Sequence, residues 1–146
     1  MSYSTVETAV LTVIKLNAGY DDDNCKAGDS SPIKRGLPRV CRLLYGGGRR
    51  EGLTITLMRH IWTVNVDIYV PYRGDLATLE ASLATERQTI IDQLAQYPRL
   101  NNCAGVTSAE ILNGDKPEPL AKKKTAYRGQ RLYLEIKETV KPARVE

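Results

Sequence analysis

The chain has 146 residues, a formal net charge of +4, 42% hydrophobic and 26% charged residues. At that length one domain, residues 1–146, buries roughly 70% of its unfolded surface, so neither a disulfide nor a metal is needed to hold it together. No apolar run approaches the ~20 residues that cross a bilayer, and MSYSTVETAV has neither the basic start nor the cleavage pattern of a secretion signal, so the expectation is a protein that folds in the cytosol without a membrane.

Phe is absent and Trp occurs once, so Leu, Ile, Val and Tyr must supply the core. Ser4-Thr5-Val6-Glu7 reads as a capping box, after which Val6, Val10, Val13 and Ile14 share one helical face. Asn17-Ala18-Gly19 is a stop signal. Residues 20–38 are rich in Asp, Asn, Ser, Gly and Pro and read as loop. Asp21, Asp22 and Asp23 suggest calcium, but Cys25 and Lys26 occupy the fifth and sixth positions, where an EF-hand needs an oxygen ligand and a Gly. A turn in which the Asp side chains bond their own backbone fits better.

The stretch from Pro32 to Arg50 carries Lys34, Arg35, Arg39, Arg42, Arg49 and Arg50 and no anion, a basic surface or a patch for nucleic acid or an acidic protein. Cys25, Cys41 and Cys103 form no CxxC pair and read as reduced thiols, with Cys41 in the core. Arg39–Tyr45 reads as a strand, GGGRREG as a flexible turn, and Leu53, Ile55 and Leu57 as the apolar side of a second strand. Arg59-His60 is expected to be a turn or bulge. Then Trp62, Val64, Val66, Ile68 and Val70 alternate with Thr63, Asn65, Asp67 and Tyr69, the period of a strand with one buried face.

Asp75 is a natural N-cap for a helix with Leu76, Leu79, Leu83, Ile90, Leu94 and Tyr97 on one stripe, and Pro98 stops it. Asn101–Gly105 is a turn and Val106–Leu112 a short strand. Asn113–Ala126, with Lys122, Lys123 and Lys124, is expected to be a mobile polar loop. Arg128–Glu138 closes the domain as a strand, with Leu132, Leu134 and Ile136 inward, and residues 139–146 form a loose tail. The fold class expected is α+β, two helices on one face of a mostly antiparallel sheet of four or five strands.

Chemistry is sparsely provided for. His60, the one histidine, is expected in an exposed loop with nothing to orient it. Gly46-Gly47-Gly48 lacks the GKS or GKT ending of a phosphate loop. No cofactor is implied, and an enzyme with a dispersed acidic site ranks last.

Several strings, in order, carry a likeness: YSTVETAVLTVI, NCKAGD, GGGRREG, WTVNVDIYVPY, LATERQTIIDQLAQYP, Gly105-Val106 and LYLEIKE. From Tyr3 to about Glu138 the chain resembles the tail terminator, or tail completion, proteins of bacteriophages with long non-contractile tails. The resemblance implies helices packed on a small sheet and a structural protein that catalyses nothing. It implies a virion protein of the tail-neck region, assembled in the host cytoplasm as a six-membered ring. That ring would cap the tail tube, stop its growth and offer the surface on which the head docks. The implied partners are further copies of the chain, the tail tube protein, a head-side connector or stopper, and DNA in the lumen. A closed ring meets its neighbours through two different surfaces. The candidate interface residues are Thr63, Asn65, Asp67 and Tyr69 on the helix-free face, Arg49, Arg50 and Glu51, and Lys122, Lys123 and Lys124. A solvated surface competes with the interface reading for the arginines, and is the first reading for the lysines. A head-side neck or stopper protein is the alternative. A small nucleic-acid-binding protein comes next, short of aromatics near its cations for stacking bases.

Overall fold

The computed structural model of the chain describes residues 2–28, 37–52, 57–71, 75–114, 118–122 and 125–140. Its elements are α1 (Tyr3–Lys15), β1 (Cys25–Ala27), β2 (Val40–Gly52), β3 (Met58–Pro71), α2 (Leu76–Ala95), β4 (Val106–Gly114), β5 (Glu118–Lys122) and β6 (Thr125–Val140). The sheet order is β1-β2-β3-β6-β4. β1 runs parallel to β2 and every other pairing is antiparallel. β3 follows one edge of β6 along its length, while β4 and β5 share the other. This is the expected α+β fold of two helices and a mostly antiparallel sheet.

Alternation in the central strands decides which face the helices cover. Trp62, Val64, Val66, Ile68 and Val70 of β3 align with Leu132, Leu134 and Ile136 of β6 and with Cys41 and Leu43 of β2, and all are buried in one core. Val6, Val10, Val13 and Ile14 of α1 and Leu79, Leu83, Ile90 and Leu94 of α2 close that core from above. α1 lies over β1 and β2, and α2 over β3, β6 and β4. A hydrogen bond from Gln93 Nε2 to the Val13 carbonyl, 2.9 Å, ties the helices together. Glu86 of α2 accepts from Tyr20 Oη at 2.8 Å and from Arg39 Nε at 3.0 Å, which fixes the chain on either side of β1 to the second helix.

Several local readings are corrected. α1 is capped by Ser2, whose Oγ accepts from the Thr5 amide at 3.3 Å, two residues before the expected cap. Ser4 lies inside the helix instead. The loop after α1 contains β1, a strand too short to show a period, held because Cys25–Ala27 pair with Cys41–Leu43. Asp21 does make the expected turn, its Oδ1 accepting from the amides of Asp23 and Asn24 at 2.9 and 3.2 Å.

GGGRREG is not a turn: it is the second half of β2, and the ladder to β3 shifts register between Tyr45 and Gly48. The extra residues form a bulge, with Gly47 at φ 114°, a backbone that residues with a side chain avoid. Gly46 is needed for another reason, since a Cβ there would come within 2.5 Å of Asn65 Oδ1. Arg59 and His60 are in β3, not in a turn. Of the strand expected at Leu53–Leu57, residues 53–56 lie outside the described residues, and Leu57 directly precedes β3.

The expected cap of α2 is present, with Asp75 Oδ1 accepting from the Thr78 amide at 2.7 Å. After α2, Leu100, Asn101 and Asn102 take three successive left-handed conformations. The expected loop 113–126 is largely β structure. β4 runs on to Gly114, β5 occupies Glu118–Lys122, and β6 begins at Thr125. Sequence patterning misses β5 because its ladder partner, not an alternating pattern, makes it a strand. Thr139 and Val140 belong to β6, paired with Arg59 and Met58, and not to a loose tail, and residues 141–146 lie outside the described ones.

Candidate interaction surface

The helix-free face is built from the residues between the core positions. On β3 these are Ile61, Thr63, Asn65, Asp67 and Tyr69; on β6, Gly129, Arg131, Tyr133, Glu135 and Lys137; on β2, Val40, Arg42 and Leu44, then Arg49 and Glu51 past the bulge. The face divides into two halves with different chemistry.

In the first half the charges are enclosed. Asp67 is only 4% exposed. Its two oxygens take a forked pair of hydrogen bonds from Arg131, Nε to Oδ1 at 2.7 Å and Nη2 to Oδ2 at 3.0 Å. Such planar two-point pairing is the strong form of an ion pair. It raises the Arg131 pKa further, the hydrogen bond to Asp67 outweighing the opposing effect of burial. Tyr69 Oη donates to Asp67 Oδ2 at 3.3 Å, and burial, then the Asp67 charge, push its phenol pKa up. Tyr69 also lies on Gly129, directly across the ladder, where any Cβ would come within 2.5 Å of its ring. Val40, Tyr69 and Tyr127 form a small apolar cluster with Leu37 against it. Arg42, opposite Asp67, is buried as well, and its Nε and Nη1 have no hydrogen-bond partner.

In the second half the ion pairs are long, and they join the exposed Arg49 and Glu51, the partly exposed Arg59 and Lys137, and the buried Glu135. Arg49 reaches Glu51 at 3.6 Å and Glu135 at 3.8 Å, Arg59 reaches Glu51 at 3.8 Å, and Lys137 reaches Glu135 at 3.6 Å. At these lengths the pairs are weak, and the Arg49–Glu51 pair, exposed on both sides, is worth roughly 0–1 kcal/mol. They leave Arg49 and Glu51 free to exchange partners.

The candidate residues therefore separate. Thr63 and Asn65 are half-buried on the helix-free face, as the alternation requires, whereas Asp67 and Tyr69 on the same face are buried by contacts within the chain. Arg49, Arg50 and Glu51 are exposed along the far half of β2, with Arg50 on the helix side opposite His60. Lys122 ends β5, and Lys123 and Lys124 lie outside the described residues, as do Lys34 and Arg35 of the basic stretch. Sequence reading placed Arg42 in a basic surface patch, whereas the fold buries it, and it missed Arg131 and Glu135. The signal for the last two was present in β6, as the polar complement of the Leu132-Leu134-Ile136 alternation.

His60 also moves. It is a strand residue on the helix side, its side chain 15% exposed and its ring stacked on Trp62 at 3.8 Å between centroids. Trp62 Nε1 donates to the buried Glu138 carboxylate at 3.0 Å, and His60 Nδ1 stands 3.8 Å from the same oxygen. Burial, then the charge of Arg50, lower the His60 pKa against the opposing pull of Glu138. Tyr3 and Tyr45 complete this aromatic end of the core, with their centroids 4.6 Å apart.

Cys25 and Cys41 face one another across β1 and β2 as buried free thiols, and the hydrogen bond between them, together with burial, raises the Cys41 pKa. Among the described residues no three His, Cys, Asp or Glu side chains are placed to share a metal ion, and no helix is long and apolar enough to cross a membrane. Fold and surface together define a one-sided α+β sandwich whose helix-free face is half enclosed and half open. No known protein family matches the chain, and no curated protein matches it.

Proposed function

We propose that this chain is a structural virion protein, a ring-forming tail terminator that caps the tail tube, ends its polymerisation and presents the head-docking surface. The observation that carries the reading is the ordered set of strings from YSTVETAVLTVI to LYLEIKE, matched to the element order in which they occur. They fall on α1, the β2 bulge, β3, α2 and β6, the helices-on-a-small-sheet arrangement that the resemblance implies. The exposed, loosely paired charges of Arg49 and Glu51 suit a surface that exchanges internal ion pairs for intermolecular ones. The tail tube protein and a head-side connector are its partners, and its place is the neck of the virion.

The test is the mass of the purified protein by light scattering, alone and mixed with tail tubes, with micrographs of the mixture. A ring seated on one end of the tube is the expected result. A monomer that ignores tubes and binds filled heads would replace this reading with that of a neck protein.

A further inference from the structure

We infer that copies of this chain join head to tail through their open sheet edges, the Tyr45–Gly52 stretch of β2 against the Val106–Leu112 stretch of β4 in the next copy. The inference rests on the ring reading and specifies the contact that would close the ring. β1 covers the outer edge of β2 only at Cys41–Leu43, and beyond that no described strand pairs with it. The outer edge of β4 is likewise unpaired among the described residues. Unpaired backbone along an edge is a template for another strand.

Register across the sheet places the two edges at one height. Tyr45 pairs with Val64, Val64 with Leu134, and Leu134 with Ile111; Arg49 pairs with Ile61, Ile61 with Lys137, and Lys137 with Ser108. A neighbour related by rotation alone, with no rise, therefore brings its Tyr45 beside Ile111 and its Arg49 beside Ser108. Contacts without rise close into a ring, whereas contacts with rise make a filament. Strand direction agrees too. β2 and β6 run one way and β3 and β4 the other, so β4 meets the neighbour's β2 antiparallel and the ladder pattern continues.

The side chains fit this docking. Three large apolar side chains stand exposed among the described residues, and two of them lie on these two edges, Tyr45 (57%) on the helix side beside Tyr3 and Leu112 (55%) at the irregularity of β4. On the helix-free face Glu110 is exposed, directly opposite Glu135, and has no ion-pair partner among the described residues. Like charges opposite one another destabilise a ladder, so Glu110 needs a cation. The neighbour's Arg49 is on the same face and diagonal to it, within reach of a long side chain. The bulge and the charges of β2 keep this edge from pairing indiscriminately while leaving it open to one complementary strand.

The experiment uses the full chain with Cys103→Ser as background. Arg49→Cys and Glu110→Cys are introduced singly and together, treated with a short thiol-specific crosslinker, alone and on tail tubes, and run on denaturing gels. The double variant is expected to give a ladder ending at the ring mass, and each single variant to give none. A dimer from either single variant, or the absence of a ladder where light scattering shows a ring, would overturn the edge contact and leave the ring reading standing. A wild-type chain that stays monomeric alone and on tubes would overturn both. As an independent arm, Arg49→Glu and Glu110→Arg should each weaken assembly by roughly tenfold and the double swap should restore it. Unchanged assembly in both single swaps counts against the proposal.

Discussion

Asp67 anchors the enclosed half of the helix-free face, holding Arg131 in a fork and Tyr69 by its hydroxyl while facing Arg42. Replacing it by Asn keeps the shape and removes the charge that compensates two guanidinium groups. Breaking a fully buried pair costs about 3–5 kcal/mol, but Arg131 is 39% exposed and can turn to water, so about 2 kcal/mol is expected, or roughly 5 °C in Tm by calorimetry. Arg49→Ala, which removes only long exposed pairs, should leave Tm within about 2 °C of the parent. Gly129→Ala sets a methyl against the buried ring of Tyr69 and should cost about 1–3 kcal/mol, read from the urea midpoint. His60 contributes a pH dependence of definite sign. Its folded pKa lies below the ordinary value near 6.5, so on acidification the unfolded chain takes up the proton first. Stability is therefore complete above that value and falls as pH drops from it towards the folded pKa. The urea midpoint should fall between pH 7.5 and 5.5, and His60→Gln should flatten that slope. Trp62, the only tryptophan, is stacked on the imidazole and offers a fluorescence readout of the same titration.

At the scale of elements, β2 does the unusual work. Its first half is a buried strand of the core, its second half an exposed ribbon, and the bulge after Tyr45 joins them. Gly47→Ala places a methyl on a backbone at φ 114° and should cost about 1–3 kcal/mol. Because the strain is local, hydrogen exchange should rise first in the amides of Arg49–Gly52 and their partners in Met58–Ile61, with the Cys41–Leu43 amides protected as before. The helices behave conventionally by comparison. Each is capped by a side-chain oxygen, Ser2 or Asp75, and each buries one aliphatic stripe on the sheet.

For the whole molecule, the two sheet faces have separate roles. One is closed by the helices over the main core, and the other, with the two sheet edges, is what the proposed assembly would use. If the chain ends tail growth, tubes polymerised in its presence should shorten as its ratio to tube protein rises, measured as a length distribution in micrographs. A small nucleic-acid-binding protein would show no such effect and would instead bind duplex DNA with an affinity falling steeply with salt.

Both helices, the long strands β3 and β6, and the assignment of their core faces were legible in the chain itself. Their signals are local: Val6-Val10-Val13, the Leu79-Leu83-Ile90 stripe, the alternation after Trp62 and the Asp75 cap each need only their own neighbours to state a period or a stop. The elements that escaped take their form from a distant partner. β1 and β5 are strands because β2 and β6 offer them a ladder, Gly46–Gly52 is a ribbon because Met58–Trp62 pairs with it, and His60 is half buried because Trp62 and Glu138 enclose it. The same holds for the candidate surface. Alternation alone put Thr63, Asn65, Asp67 and Tyr69 on one face. Only the register of β3 against β6, which sets Asp67 opposite Arg131 and Tyr69 on Gly129, decided that two of the four are spent inside the fold while the open charges and edges lie at its other end.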